Sequence, residues 1–139
     1  MDRVNPRSSG KSFRENDYVE IWIEEGIIME VFKPAFTEIT LEMAKKIVGL
    51  RLEVSNEVTL PLFVDTQNIK YMNGQTRDYF ATTESIKYLS AAAFLLHNYV
   101  AWLASSLFIK FQQPTVKTEF FRTKDKAIEW LKPYRDSVQ

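Results

Sequence analysis

From Tyr88 to Ile109 the chain runs for 22 residues without a formal charge, between Lys87 and Lys110. No other stretch limits the choice of fold as tightly. A run of this length either spans a bilayer as one helix or supplies two buried elements of a globular domain. His97-Asn98 stands near its middle, where polar groups are costly in lipid, and Ser90, Ser105 and Ser106 dilute it further. The second reading follows. Tyr88–Leu96 is a strand buried on both faces, as continuous apolar runs in α/β sheets are. His97-Asn98 is a turn, and Asn98 caps a helix over Tyr99–Ile109. Ala91, Ala92 and Ala93 leave room for a helix packed closely over the strand. No membrane span is expected.

Upstream, Val19, Ile21 and Ile23 alternate with Tyr18, Glu20, Trp22 and Glu24, and Ile27, Met29 and Val31 repeat the alternation. Period two puts one set on the core face of a strand. Glu25-Gly26 lies between the runs, and the glycine supplies the positive φ of a tight turn. Tyr18–Phe32 therefore reads as a β-hairpin, ended by Lys33-Pro34. Thr40 caps a helix from Leu41 to about Val54, whose apolar stripe is Leu41, Ala44, Ile47 and Val48. Leu60–Val64 is another doubly buried strand, with Pro61 at its start. Asn73 caps a helix from Gln75 to about Ser85, with Tyr79 and Phe80 facing inward. Val116–Phe121 is a strand. Thr123 caps a last helix that carries Ala127, Ile128, Trp130 and Leu131 inward and stops at Pro133. The order is β-β-α-β-α-β-α-β-α. A hairpin followed by three strand–helix alternations implies an α/β fold with a mixed, mostly parallel sheet flanked by helices.

A chain of 139 residues fits one domain and buries a core without metal or disulfide. Residues 1–16 are polar and mildly basic, with no apolar stretch. They read as a disordered tail rather than a secretory leader, and the domain runs over residues 17–135. Acidic and basic residues balance at 18 each, which argues against a nucleic-acid partner, because duplex binding replaces phosphate counterions with basic groups. With no cysteine and one histidine, thiolate catalysis, Cys-type zinc sites and multi-histidine metal sites are excluded. No metal or cofactor is expected. No Gly-x-x-x-x-Gly-Lys, Gly-x-Gly-x-x-Gly or Gly-x-Ser-x-Gly motif occurs, and nucleotide cradles need such glycines for close backbone approach.

With the elements in this order, the segment Phe63-Val-Asp-Thr-Gln-Asn-Ile-Lys-Tyr-Met-Asn-Gly-Gln-Thr-Arg-Asp-Tyr-Phe80 resembles part of the STAS domain, the family of bacterial anti-sigma factor antagonists of the SpoIIAA type. That family has a strand ending in an aspartate, a loop with spaced apolar residues, then an Asp-Ser pair opening a helix. Val64-Asp65 is similar to the strand end, and Ile69 and Tyr71-Met72 to the apolar anchors of the loop. Without a gap, Asn73 falls on the family's helix-opening aspartate and Gly74 on its phosphorylated serine. The ending Phe121-Arg-Thr-Lys-Asp-Lys-Ala-Ile-Glu-Trp-Leu131 also resembles that of uncharacterised STAS-like bacterial proteins. The resemblance implies a SpoIIAA-like fold and a non-catalytic regulatory module in the bacterial cytoplasm that acts by binding a protein partner. In the family, serine phosphorylation changes helix-end electrostatics and partner fit. Gly74 has no hydroxyl, so that switch cannot operate at this position. Thr76 is the next hydroxyl along, and it reads more simply as a first-turn group near the cap.

Three further residues are candidates. Asp65 ends a buried strand, at the edge where ligand sites of open α/β sheets collect, and its plainer role is to hold the following loop through backbone amides. His97 falls at the end of another such strand, where it is a general acid or base or a turn residue bonded to backbone. Arg77 binds an anion or pairs with surface charge. An enzyme using Asp65 and His97 is the least favoured class. The Tyr99–Ile109 helix is apolar on more than one face, and Tyr99, Trp102, Leu103 and Phe108 are the expected contacts of a homodimer. The reading favoured overall is a STAS-like interaction module, not an enzyme. The alternative is a small carrier that binds an apolar ligand or lipid among the rings around Trp102.

Overall fold

The computed structural model describes residues 13–97 and 116–136. Strands β2 (Val19–Glu24) and β3 (Ile27–Phe32) form the expected hairpin around a two-residue turn, in which Glu25 and Gly26 have φ of 51° and 80°. Two successive positive values belong to a type I′ turn, whose twist matches that of the flanking strands. The turn also fixes the register. Ile23 stands opposite Ile28, Ile21 opposite Glu30 and Val19 opposite Phe32. Directly paired residues share a face of the sheet, so Ile28, Glu30 and Phe32 continue the face of Val19, Ile21 and Ile23. Ile27, Met29 and Val31 lie on the opposite face with Trp22.

Part of the segment expected to be a disordered tail is a strand. A short β1 (Arg14–Glu15) pairs antiparallel with β2, Arg14 opposite Ile21 and Glu15 opposite Glu20. Asn16 shapes the bend by accepting from the amides of Tyr18 and Val19, and Lys33 Nζ lies 2.8 Å from a Glu15 carboxylate oxygen. An edge strand held by main-chain bonds needs no apolar side chains, so polarity alone could not separate it from a tail.

The chain continues through β4 (Glu38–Ile39), α1 (Leu41–Ser55), β5 (Leu60–Asp65), β6 (Tyr71–Met72), α2 (Gly74–Phe80), α3 (Thr83–Ile86) and β7 (Leu89–Leu95). After the second described segment begins come β8 (Lys117–Phe121), α4 (Lys124–Leu131) and a closing 3₁₀ turn, Lys132–Asp136. Six strands form one sheet in the order β1-β2-β3-β5-β7-β8, while β4 and β6 make a separate parallel pair. The first two pairings are antiparallel and the last three parallel, which is the mixed, mostly parallel sheet expected from the sequence. Leu89–Leu95 is a strand, so the uncharged run is not one unbroken helix. Among the described residues no helix is long and apolar enough to cross a membrane. The helix expected over Tyr99–Ile109, its cap Asn98, and Tyr99, Trp102, Leu103 and Phe108 lie outside the described residues.

The single helix expected over Gln75–Ser85 is two. Thr82 donates its hydroxyl to the Tyr79 carbonyl and accepts from the Ser85 amide, which ends α2 and caps α3. A threonine that bonds locally to backbone competes with helix continuation.

Helices cover both faces of the sheet. Ala44, Ile47 and Val48 of α1 pack with Ile21, Ile28, Leu62 and Val64 on one side. On the other, Ala127 and Leu131 of α4 meet Phe63, Ala91, Ala93 and Leu95. Ala91 and Ala93 of β7 let α4 sit close, as the sequence suggested, while Ala92 faces the other side, with α1. Residues buried on each side exclude water from most of β3, β5 and β7, and this double covering positions everything described next.

Candidate functional site

The carboxyl ends of β5 and β7 lie side by side because the two strands are parallel neighbours, Asp65 paired with Leu95. Thr66 locks these ends together: its amide and its hydroxyl both donate to the Leu95 carbonyl, at 3.2 and 2.8 Å. The pairing brings two of the sequence candidates into contact. His97 Nε2 lies 2.6 Å from Asp65 Oδ1, and the same oxygen accepts from the Gln67 amide at 3.1 Å. Asp65 thus holds its loop and also meets an imidazole that stands 32 residues away in sequence. The His97 side chain is 44% exposed, so the pair sits in water rather than in a closed site. The adjacent hydroxyl of Thr66 is buried and engaged with backbone. Among the described residues no three acidic or histidine groups converge to hold a metal ion.

A second cluster forms where α2 begins. Asn73 has extended backbone and caps the helix, accepting at 2.9 Å both from the Thr76 amide and from the Thr76 hydroxyl. Thr76 has no exposed surface. A side chain at Gly74 would meet only the Arg77 guanidinium, 3.7 Å from an ideal Cβ, so the glycine is not demanded by crowding. Arg77 donates from Nη1 to the Met72 carbonyl at 3.0 Å and lines a cavity behind α2.

That cavity is the most distinctive polar feature of the core, and sequence reasoning missed it. About 90 Å³ of space lies between the sheet face that carries Glu30, Val64, Ala92 and Thr118 and the helices α1, α2 and α3. Its walls are mainly aliphatic and aromatic, among them Phe32, Leu62, Val64, Phe80 and Phe94. Lys70, Tyr71 and Arg77 border it toward solvent, Tyr71 being an exposed aromatic. Two charged side chains belong to its buried part, Glu30, 5% exposed, and Arg51, 2% exposed.

Arg51 falls on the buried stripe of α1, one turn after Ile47 and Val48. It donates from Nη2 to the Ser85 carbonyl at 2.7 Å and from Nη1 to the Lys87 carbonyl at 3.0 Å, tying α1 to the turn before β7. Burial lowers its pKa, opposed by the charge of Glu30 and then by Tyr79. Tyr79 donates its hydroxyl to Glu84 at 2.6 Å; burial, that bond and the Glu84 charge push its pKa up to about 12. Burial raises the Glu30 pKa from 4.5 to about 7, an effect the Arg51 charge only partly opposes. Taking a carboxylate out of water disfavours the ion in this way. The cavity therefore ends on a group that is a neutral acid below neutrality and an anion above it.

Both residues left a trace in the sequence. A two-residue hairpin turn reverses parity between paired positions, so an inward Ile21 places Glu30 inward as well. Arg51 continues the i, i+3, i+4 spacing of Ala44, Ile47 and Val48.

Comparison with known proteins adds two findings. No curated protein matches the sequence. The chain is similar in structure to an uncharacterised protein of the DUF3478 family from Shewanella loihica PV-4, whose crystal structure has a SpoIIAA-like fold; the TM-score is 0.57 at 17% identity, over 85% of this chain and 98% of that one. At that identity the likeness shows the fold, which is the one expected from the resemblance of Phe63–Phe80. The model of DUF7793, described as a domain of unknown function, matches residues 21–135, and the chain belongs to that family, on a SpoIIAA-like fold.

Proposed function

We propose that the chain is a non-catalytic STAS-like interaction module whose state is set by a small, mostly apolar molecule in the Glu30–Arg51 cavity, not by a phosphate at the start of α2. The observation that carries this reading is a mainly apolar cavity whose buried part holds two charged side chains, Glu30 and Arg51. Ligand pockets have this make-up, apolar walls and a few polar groups that fix orientation. The α2 start supports the same reading from the other side. Gly74 offers no hydroxyl, and the Thr76 hydroxyl is buried and bonded to Asn73, so a kinase finds no acceptor on either residue without unwinding the cap. Arg77 and Phe80 carry α2 against the cavity, so an occupant bears directly on the helix that corresponds to the family's switch.

The volume also bears on the kind of occupant. An engineered cavity of ~150 Å³ in another protein binds benzene. At about 90 Å³ this one suits a molecule no larger than that volume, which weighs against a long-chain lipid. Hydrogen exchange read along α2 tests the proposal. Small apolar solutes that fit the cavity are expected to slow exchange in α2 and α3, and no change there with any such solute would refute it. Self-association through Tyr99–Ile109 belongs to the same proposal and is supported by the breadth of apolar sequence in that segment. Sedimentation is expected to report two copies, and a single copy at all concentrations contradicts it.

A further inference from the structure

We propose that the cavity takes a short-chain monocarboxylate of about six heavy atoms or fewer, held between the Arg51 guanidinium and the Glu30 carboxyl. This deepens the reading of the cavity as a ligand site and rests on it.

The charge of the lining selects the head group. Among the described residues that line the cavity, Glu30 is the one acid, against the cations Arg51, Lys70 and Arg77. Arg51 is buried, with two donors used on the Ser85 and Lys87 carbonyls; a guanidinium has five N–H donors in a planar fork that matches a carboxylate. Glu30 is 95% buried in the same space, on the strand beneath α1. In its neutral form it donates one hydrogen bond, and a carboxylate accepts it. In its ionised form it repels the same ligand across a medium of low polarity. An amine would suit ionised Glu30 but meets three cations. A neutral alcohol or amide gains less from Arg51, because hydrogen bonds in which one partner is charged are the stronger ones. The remaining groups that face Glu30 are apolar on β2 and β5, Ile21 and Val64 beside it in the sheet. Tyr79 acts on Arg51 from α2, and Lys70 and Arg77 stand at the border as an attractive entrance for anions.

Burial raises the Glu30 pKa to about 7, so binding is expected to depend on pH. If the anion enters only the protonated form, affinity is expected to fall about twentyfold between pH 6.5 and pH 8.5, with nearly one proton taken up per ligand at the upper end. Isothermal titration with isobutyrate, in buffers of different ionisation enthalpy, reads both quantities on the full chain. Isobutyramide, isobutanol and octanoate serve as probes of head group and size. The expected result is saturable isobutyrate binding with that pH dependence, weaker binding of the amide and alcohol, and none of octanoate. In Glu30→Gln, which keeps the shape and a donor but cannot ionise, isobutyrate is expected to bind with a flat pH profile. A profile in the variant as steep as in the parent chain would mean that the ligand brings its own proton, and overturns the assignment to Glu30. Amide binding equal to that of the acid overturns the carboxylate proposal while leaving the cavity a ligand site. Absence of binding by acid, amide and alcohol alike overturns both readings. The parent chain's pH profile and proton uptake decide the matter even if the variant does not fold.

Discussion

Glu30 and Arg51 are the residues on which stability and function meet. A carboxyl whose pKa is raised on folding, here from 4.5 to about 7, binds more protons folded than unfolded between those values. Its contribution to stability is therefore greatest at low pH, declines as pH rises through that window, and levels off above pH 7. At ~1.4 kcal/mol for each pH decade, the burial of Glu30 opposes folding by about 3 kcal/mol at pH 8. Glu30→Gln is expected to be more stable than the parent chain at pH 8 by a few kcal/mol and nearly equal to it at pH 4.5. Urea denaturation at the two pH values reads the difference, and an equal offset at both would contradict it. Arg51→Met acts in the opposite sense. It leaves the Ser85 and Lys87 carbonyls without their charged donor and removes the cation that moderates Glu30, at an expected cost of about 3 kcal/mol. Arg51→Lys should lose less, since it keeps the charge but not the two-pronged geometry.

At the scale of elements, the start of α2 separates two kinds of cap. Thr40 at the start of α1 accepts one backbone bond, from the Met43 amide at 3.2 Å. Asn73 accepts from the Thr76 amide and also from the buried Thr76 hydroxyl. Thr40→Ala is expected to cost ~1 kcal/mol, the usual value for a lost cap. Asn73→Ala should cost about twice as much, because it also leaves a hydroxyl unpaired in the core. Denaturation midpoints of the two variants give the comparison, and a smaller loss at Asn73 would contradict the double role. Elements of this kind were legible in the sequence wherever one local rule decided them. Both caps could be read from a polar residue before an apolar stripe, and the hairpin from Glu25-Gly26 between two alternating runs. The break at Thr82 was not legible, because a threonine in a helical stretch either rides along or bonds back to its own turn, and tertiary packing chooses. β1 was hidden for a related reason: an edge strand is held by backbone atoms, which are the same in every sequence.

For the whole molecule, the mixed, mostly parallel sheet followed from alternation and from the rule that parallel neighbours need crossover connections. The site did not follow so easily. Asp65 and His97 were each picked for standing at strand ends, and their contact depends on β5 and β7 being adjacent, a fact of topology that spacing along the chain does not carry. Glu30 was passed over because β3 is covered on both faces. A doubly buried strand has no polar side to contrast with an apolar one, and the alternation of Ile27, Met29 and Val31 drew attention to the wrong parity. Burial of Glu30 beneath that covering disfavours its ionised form. Carbon-detected NMR of the chain labelled at its glutamate carboxyls tests that state most directly, with Glu30→Gln assigning the resonance. A Glu30 midpoint about 7, moving upward as isobutyrate is added, is the expected result; a midpoint near 4.5, unmoved by isobutyrate, would show a hydrated surface-like carboxylate and contradict the buried carboxyl in the pocket on which the proposed function rests.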